Sequence, residues 1–190
     1  MTSLKGQFLV ATPELLAPIF TQSVILMLDH SSKGAAGVVL NRLTESTINS
    51  VAPEVFGEES DWEKWIGLGG PVPGPLIVLH TVEELADETI LPGVYSTVDA
   101  EKVLELVRRK VEPSLAIANY SGWTGGQLEG EMGEGSWVVV PATLELIFWE
   151  GLGAAGSELW QALTKKYEGR RWADLLGIKS RELPPDPRLN

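Results

Sequence analysis

Short runs of consecutive apolar residues, bounded by glycine, proline, serine or asparagine, constrain the fold of this chain more than any other feature. The runs are rich in β-branched and aromatic residues, which favour strands. Several are apolar at successive positions without polar alternation, a pattern typical of strands buried on both faces. The sequence therefore predicts a sheet that helices must cover. The predicted strands are residues 8–11, 23–28, 37–40, 66–68, 76–79, 114–120 and 137–140.

Two segments show the 3.6-residue period of an amphipathic helix. In residues 100–111 the apolar side chains recur at helical spacing, and Asp99 is placed to cap the N-terminus. Residues 157–167 begin at a second capping residue, Ser157, and end before Gly169. Because the predicted strands occur both in close pairs and between helices, a mixed sheet is expected. Shorter helices are predicted at residues 14–20, 46–51, 82–86, 143–148 and 171–176.

Length and composition predict one globular domain of mixed α/β class. The chain has 190 residues, of which 44% are hydrophobic and 22% charged, which is ordinary globular usage. No linker or repeat divides it, so we assign residues 1–183 to a single domain and the proline-rich residues 184–190 to a flexible tail. The longest apolar runs are far shorter than the roughly 18 residues that a spanning helix needs, so no membrane segment is expected.

The absence of cysteine excludes disulfides, thiol nucleophiles and cysteine-based zinc or iron–sulfur sites. The N-terminal residues also lack the basic and apolar regions of a signal peptide, and together these features predict a cytoplasmic protein. No close metal-ligand spacing accompanies the two histidines, so no metal site is predicted. The glycine-rich runs match neither a dinucleotide-binding fingerprint nor a P-loop, so no nucleotide cofactor is predicted either.

Charge argues against nucleic acid as a partner. The chain holds 26 Asp and Glu against 15 Lys and Arg, a net charge of −11. An acidic surface repels phosphate backbones, and nucleic-acid binding depends on cationic contacts. The basic residues gather near the C-terminus, where residues 165–171 are typical of a solvated helix face.

Candidate acid–base chemistry is limited to a few polar residues. His30 and His80 each follow an apolar strand, where pockets gather in α/β folds, so the two could line one cleft. Glu129 and Glu131 lie two positions apart, which on a strand would place both carboxylates on one face as acid and base. An exposed hairpin over residues 127–131 is the favoured interpretation of this pair.

The seven tryptophans are candidate core residues or candidate anchors for a partner. Trp137 and Trp160 lie in patterned segments and are predicted in the core. Trp62 and Trp123 flank polar or glycine-rich sequence, so they are predicted to be exposed. An exposed tryptophan in a loop is a frequent anchor for binding.

Six motifs occur in order along the chain and carry a resemblance that runs from about Gly6 to Phe148. They are residues 6–13, 23–30, 34–42, 69–72, 79–80 and 121–129. Together they resemble the AlgH family, also called YqgE-like. The resemblance implies a single domain with a complex, bifurcated mixed β-sheet surrounded by helices. It also implies the family's label of transcriptional regulator, which the acidic composition does not support. The positions where a family site would fall are His30, Asn41, Arg42, Gly69, Gly70, Trp123, Gln127 and Glu129.

The sequence favours a binding or regulatory module as the function. A cleft formed by Asn41, Arg42, Trp123 and Gln127 would hold a protein partner or a small anionic ligand. Arg42 carries this hypothesis, because a guanidinium recognises carboxylates through paired hydrogen bonds.

Two other functions remain open at this point. The alternative is a metal-independent enzyme that uses His30 or His80 with Glu129 as acid and base. A DNA regulator acting through the C-terminal cations is the third and the least supported.

Overall fold

The computed structural model describes residues 2–15, 17–149 and 156–165. The strands are β1 (Gln7–Ala11), β2 (Val24–Ser31), β3 (Gly34–Val39), β4 (Leu43–Thr47), β5 (Trp65–Leu68), β6 (Val72–His80), β7 (Glu88–Leu91), β8 (Val94–Thr97), β9 (Ser114–Thr124) and β10 (Trp137–Pro141). The helices are α1 (Ile48–Phe56), α2 (Ala100–Arg108), α3 (Gln127–Gly133) and α4 (Leu144–Ile147), with a 3₁₀ turn at Glu83–Leu85. Residues 158–165 are also helical.

These strands form one sheet that branches at β9. The main path runs β10-β1-β2-β3-β9-β6-β8-β7, with antiparallel neighbours throughout. β5 joins β9 in parallel and carries β4 on its other side. Residues 116–118 of β9 pair with β5 and residues 121–124 pair with β3, so the sheet splits along this strand. The predicted bifurcated mixed sheet in one domain is confirmed.

Gly69 and Gly70 lie at this branch. The N–H of Gly69 donates to the carbonyl of Ala118 at 2.8 Å, and its own carbonyl accepts from the N–H of Val39 at 2.9 Å. A Cβ on Gly69 would collide with the backbone carbonyl of Asn119, and one on Gly70 with Ser121. The backbones approach so closely here that only glycine fits.

β1 and β2 are buried on both faces over most of their length, as their consecutive apolar residues predict. In β1, Phe8 and Val10 belong to one packed layer, which α4 and the helical residues 158–165 cover. Leu9 and Ala11 belong to a second layer, which α3 covers. A third cluster lies beneath α1 and α2.

The seven predicted strands are all present with adjusted ends, and the helix predicted at residues 100–111 is α2, capped by the Asp99 side chain. Three further strands, β4, β7 and β8, were not predicted.

The helix predicted at residues 14–20 is wrong: residues 13–14 and 18–22 form turns. Pro18 explains this, because it has no N–H for a helical hydrogen bond and restricts the residue before it. Residues 171–176 and 184–190 lie outside the described residues.

The predicted hairpin at residues 127–131 is also wrong, because this segment forms α3. Glycines within it lower its intrinsic helix propensity, and contacts to the rest of the fold override that weakness. Trp62 and Trp123, predicted to be exposed, are 8% and 7% exposed. Among the described residues, no helix has the length and apolarity needed to cross a bilayer.

Candidate functional site

His30 and Glu129 join β2 to α3. The His30 side chain is 2% exposed, and its Nε2 lies 2.9 Å from Oε1 of Glu129. Its Nδ1 accepts a hydrogen bond from the backbone N–H of Leu4 at 3.1 Å. Because Nδ1 is an acceptor, the neutral ring carries its proton on Nε2 and donates it to the carboxylate. Both ring nitrogens are therefore occupied within the protein.

The carboxyl group of Glu129 is held in its charged form. A hydrogen bond from its own backbone N–H and the hydrogen bond from His30 lower the pKa of this carboxyl below its ordinary value. The side chain is 31% exposed, so solvent reaches the carboxylate while the imidazole beneath it stays dry. The pair can anchor α3 electrostatically at neutral pH.

Glu131, two residues along α3, binds two tryptophans. Its Oε2 accepts the indole N–H of Trp123 at 2.9 Å and that of Trp137 at 2.8 Å. The two indoles pack edge to face, with ring centroids 6.2 Å apart. Oε1 accepts the amide N–H of Gln127 at 3.0 Å. Trp123 and Gln127 thus meet at the carboxylate of Glu131, which was not among the predicted site residues, whereas Asn41 and Arg42 bond to residues 21–24.

His80 lies in a separate environment at the end of β6. It is fully buried; its Nδ1 accepts the N–H of Val82 at 3.1 Å, and its Nε2 lies 2.8 Å from the Thr97 hydroxyl. That hydroxyl donates to the carbonyl of Leu85 at 2.6 Å, so the imidazole must donate to it. Burial lowers the pKa of His80 against the opposing effect of Asp87 and Glu84. His30 and His80 do not share a cleft.

Asn41 and Arg42 hold the segment that leads into β2. The Asn41 amide accepts the N–H of Val24 at 2.9 Å and donates to the carbonyls of Gln22 (2.8 Å) and Gly156. Arg42 donates from Nη2 to the carbonyl of Thr21 at 2.6 Å. Among the described residues, its guanidinium forms no ion pair, and its buried Nε has no hydrogen-bond partner.

Most polar groups of the cluster around α3 bond to one another. His30 uses both ring nitrogens in this cluster and His80 uses both in its own site, so neither imidazole has an unpaired nitrogen to act as a base in this conformation. The described residues also contain no group of three or more side chains able to hold a metal ion. What the cluster does is fasten α3 to the sheet. Whether its residues also bind a ligand stays a prediction.

A second feature is an apolar groove beside β4 and β5, which we name the Trp65 groove. It has a volume of about 570 Å³, and its apolar lining includes Leu40, Leu43, Trp65, Ile117, Phe148 and Trp149. Trp65 is 53% exposed and Leu43 is 37% exposed. A smaller recess of about 420 Å³ adjoins it, with Glu45 in its wall beside the same two side chains. No pattern in the sequence marked Trp65 as exposed, although it is the exposed tryptophan among the described residues.

The rim of the Trp65 groove carries unbalanced negative charge. Lys64 is already paired with Glu112, with Nζ 2.8 and 2.7 Å from the two carboxylate oxygens. Glu63, also in the lining, and Glu45 form no ion pair with any described residue. An apolar surface with free carboxylates beside it attracts an apolar group next to a cation.

Comparison with known proteins decides the family. A family profile described as AlgH-like matches residues 8–172. The chain belongs to the AlgH-like family. A relative of this AlgH-like chain, a UPF0301 protein from Chlamydia caviae, is 31% identical over 170 residues, 87% of each chain. A UPF0301 protein from Methylococcus capsulatus is 38% identical over 151 residues, 76% of this chain and 83% of the relative.

Solved structures give the same result for the fold of this AlgH-like chain. The solution structure of the AlgH protein from Pseudomonas aeruginosa matches with a TM-score of 0.73 and 26% identity, covering 94% of this chain and 95% of that one. A crystal structure of a protein from Corynebacterium diphtheriae, 22% identical, shares the fold with a TM-score of 0.66 over 85% of each chain. The resemblance in the sequence is thereby confirmed, and the function must be argued from the site.

Proposed function

We propose that this AlgH-like chain is a protein-binding module whose Trp65 groove takes an apolar segment of a partner that also carries Lys or Arg. One observation carries the proposal: a half-exposed tryptophan stands beside an apolar groove whose rim has uncompensated carboxylates. This refines the binding hypothesis drawn from the sequence and moves its centre from Arg42 and Trp123 to Trp65.

The exposed side chains of Trp65 and Leu43 support an apolar partner segment. Trp65 and Leu43 expose large apolar side chains next to each other, whereas Trp62, three residues away, is buried. Exposed apolar patches next to a cavity mark interaction sites, and tryptophan is among the residues most enriched at binding hot spots. Glu63, Lys64 and Glu112 stand in a lining that is otherwise mostly apolar, which suits a partner segment with both apolar and cationic side chains.

Glu45 and Glu63 support a cationic side chain on the partner segment. A cation on the partner could pair with these carboxylates, because neither forms an ion pair within the part of the chain that the structure describes and the neighbouring Lys64 is paired with Glu112. Their contribution is expected to act mainly on the association rate and on specificity, and salt screens such exposed charges. Binding should therefore weaken as ionic strength rises.

The test is a selection of peptides from a random displayed library on the immobilised protein, followed by affinity measurements in solution. Selected peptides should combine apolar residues with Lys or Arg. Trp65→Ala should weaken their binding by about tenfold or more, which is the size expected for a hot-spot residue. Val55→Ala is the matched control, because Val55 is also 53% exposed but lies on α1 and is not part of the groove lining.

Two results would contradict the proposal. One is a selection that enriches no peptide. The other is a set of peptides that bind Trp65→Ala as tightly as the unchanged protein, which would place their site elsewhere. Glu63→Gln distinguishes the electrostatic contribution from the apolar one, since it should reduce the salt dependence of binding and leave the apolar contacts in place.

A second candidate function is retention of a small carboxylate ligand at Arg42. Its support is that the Arg42 guanidinium has no carboxylate partner among the described residues. A thermal-shift screen against small carboxylates and phosphates tests it, because a ligand that binds only the native state raises the unfolding temperature. A hit that persists in Arg42→Ala would remove this candidate.

A further inference from the structure

Gly67 lies in β5 between two side chains of the Trp65 groove. Across the antiparallel pair it is opposite Leu43 of β4, and across the parallel pair it is opposite Ile117 of β9. Residues paired in this way point to the same face of a sheet. All three residues line the groove. They form a row across three strands, and the central residue of the row has no side chain.

The neighbours of Gly67 along β5 identify the face on which this row lies. Side chains alternate along a strand, so Trp65 and Gly67 share one face and Ile66 points to the other. Ile66 belongs to the cluster beneath α1 and α2, whereas Trp65 is 53% exposed in the groove. The row therefore faces the groove and not the core beneath the helices.

The missing side chain leaves a gap of defined width, which we name the Gly67 slot. Neighbouring strands lie about 4.8 Å apart, so the backbones that carry Leu43 and Ile117 are about 9.6 Å apart across β5. Gly67 is itself buried between them, so the slot is narrow at its floor. A narrow gap between two aliphatic side chains fits a planar ring on edge better than a branched chain. Aromatic side chains cover glycines in β-sheets in this way.

We propose that Gly67 determines the specificity of the Trp65 groove by admitting one aromatic side chain of the partner between Leu43 and Ile117. This inference rests on the proposed function of the groove and names the residue that the groove recognises. The ring lies over the Gly67 backbone, where Trp65 of the lining is available for an edge-to-face contact. A side chain at position 67 would occupy the same space and exclude the ring.

Glu63 limits where the cation of the partner lies. It precedes Gly67 by four residues, which span at most about 14 Å. An extended partner segment rises about 3.3 Å per residue, so its Lys or Arg lies within about four residues of the aromatic residue. The recognised segment is therefore short, with an aromatic residue and a cation close together.

The test selects the same random displayed peptide library in parallel on the unchanged protein and on Gly67→Ala. The backbone of Gly67 is not left-handed, and an added Cβ would lie 3.4 Å from Cγ1 of Ile117, so the variant should fold. Gly130→Ala is the matched control, because Gly130 lies on α3 and is not part of the groove lining. Circular dichroism checks that both variants are folded.

Peptides selected on the unchanged protein should share an aromatic residue with Lys or Arg within about four positions of it. They should bind Gly67→Ala about tenfold more weakly and bind Gly130→Ala as they bind the unchanged protein. A double-mutant cycle separates the slot from a general structural effect. Replacing the aromatic residue of the peptide by alanine should weaken binding about tenfold on the unchanged protein and less than about threefold on Gly67→Ala.

Three outcomes overturn the inference, and they differ in what they say about the groove. Peptides that require Trp65 but share no aromatic residue, or that bind Gly67→Ala as tightly as the unchanged protein, leave the proposed function standing without the slot. An equal loss from the peptide substitution on both proteins shows that Gly67→Ala does not act on the ring. A library that enriches no peptide overturns the proposed function and this inference together.

Discussion

Nε2 of His30 and Oε1 of Glu129 lie 2.9 Å apart, and this contact fastens α3 to β2. The imidazole is buried and the carboxylate is partly exposed. Because Leu4 occupies the other ring nitrogen, the contact also ties the segment before β1 to α3. The pair is thus a structural link between three parts of the chain that are distant in sequence.

Glu129→Gln should reduce the loss of stability at acid pH. The pKa of Glu129 in the folded protein is lowered from its ordinary 4.5, so the unfolded chain takes up its proton first as the pH falls. The stabilisation by this carboxylate is therefore complete above pH 4.5 and is lost as the pH falls from there through the folded pKa. Urea unfolding midpoints between about pH 3 and 7 measure the effect.

Glu134→Gln is the control for that experiment, because Glu134 is exposed and forms no ion pair with the described residues. Below pH 4.5 the urea unfolding midpoint of Glu134→Gln should fall with pH as that of the unchanged protein does. If Glu129→Gln also follows it, the His30 contact does not contribute to stability in solution.

Glu131→Ala should destabilise the fold more than any other single carboxylate change on α3. It leaves the indole N–H groups of Trp123 and Trp137 buried without an acceptor, each at a cost of about 1–3 kcal/mol. The expected loss is about 2–6 kcal/mol in the free energy of unfolding, measured in urea. Glu134→Ala should stay within about 0.5 kcal/mol of the unchanged protein. Equal effects of the two substitutions would show that water replaces Glu131 at no cost.

The sequence predicted the centre of the sheet well and its periphery poorly. β1 and β2 are apolar at nearly every position, so local composition alone marks them as strands. β7 (ETIL) and β8 (VYST) are four residues each and contain little apolar sequence. β8 is a strand because it pairs with β6, and β7 pairs in turn with β8. Pairing with a partner elsewhere in the sequence does not appear in the local residue pattern.

Only part of the candidate site could be predicted, because the contacts that form the rest of it depend on the folded structure and leave no local pattern in the sequence. The motif containing Gln127 and Glu129 was recognised, but its helix depends on the contacts of Glu129 and Glu131, which no local pattern contains. Trp65 begins a four-residue strand, too short for alternation to show which face is exposed. Trp62 has more polar neighbours and is nevertheless buried, so flanking polarity was the wrong guide to tryptophan exposure.

His80 should protonate at a lower pH than a free histidine does. Burial lowers its pKa from 6.5, and the unfolded chain therefore gains a proton that the folded one does not. Its contribution to stability is complete above pH 6.5 and decreases as the pH falls from there toward the folded pKa. Nitrogen-15 NMR of the imidazoles, with His30→Gln to assign the two rings, should show His80 mostly as the neutral Nε2–H tautomer at pH 6.5. A fully protonated His80 at that pH would contradict the assignment.

Gly69→Ala and Gly130→Ala should change the free energy of unfolding in opposite directions. At Gly69 a Cβ would meet the Asn119 carbonyl and lie 2.7 Å from Cγ2 of Ile117 at the branch of the sheet, so Gly69→Ala should lose about 3 kcal/mol or more, or fail to fold. Gly130 lies exposed within α3 with no atom within 4 Å of an added Cβ, so Gly130→Ala should gain about 0.5–1 kcal/mol from helix propensity. Thermal and urea unfolding of both variants check the signs. A stable Gly69→Ala would mean that the strands at the branch can separate, and the close approach of β9 to the Gly69 backbone would no longer explain the glycine.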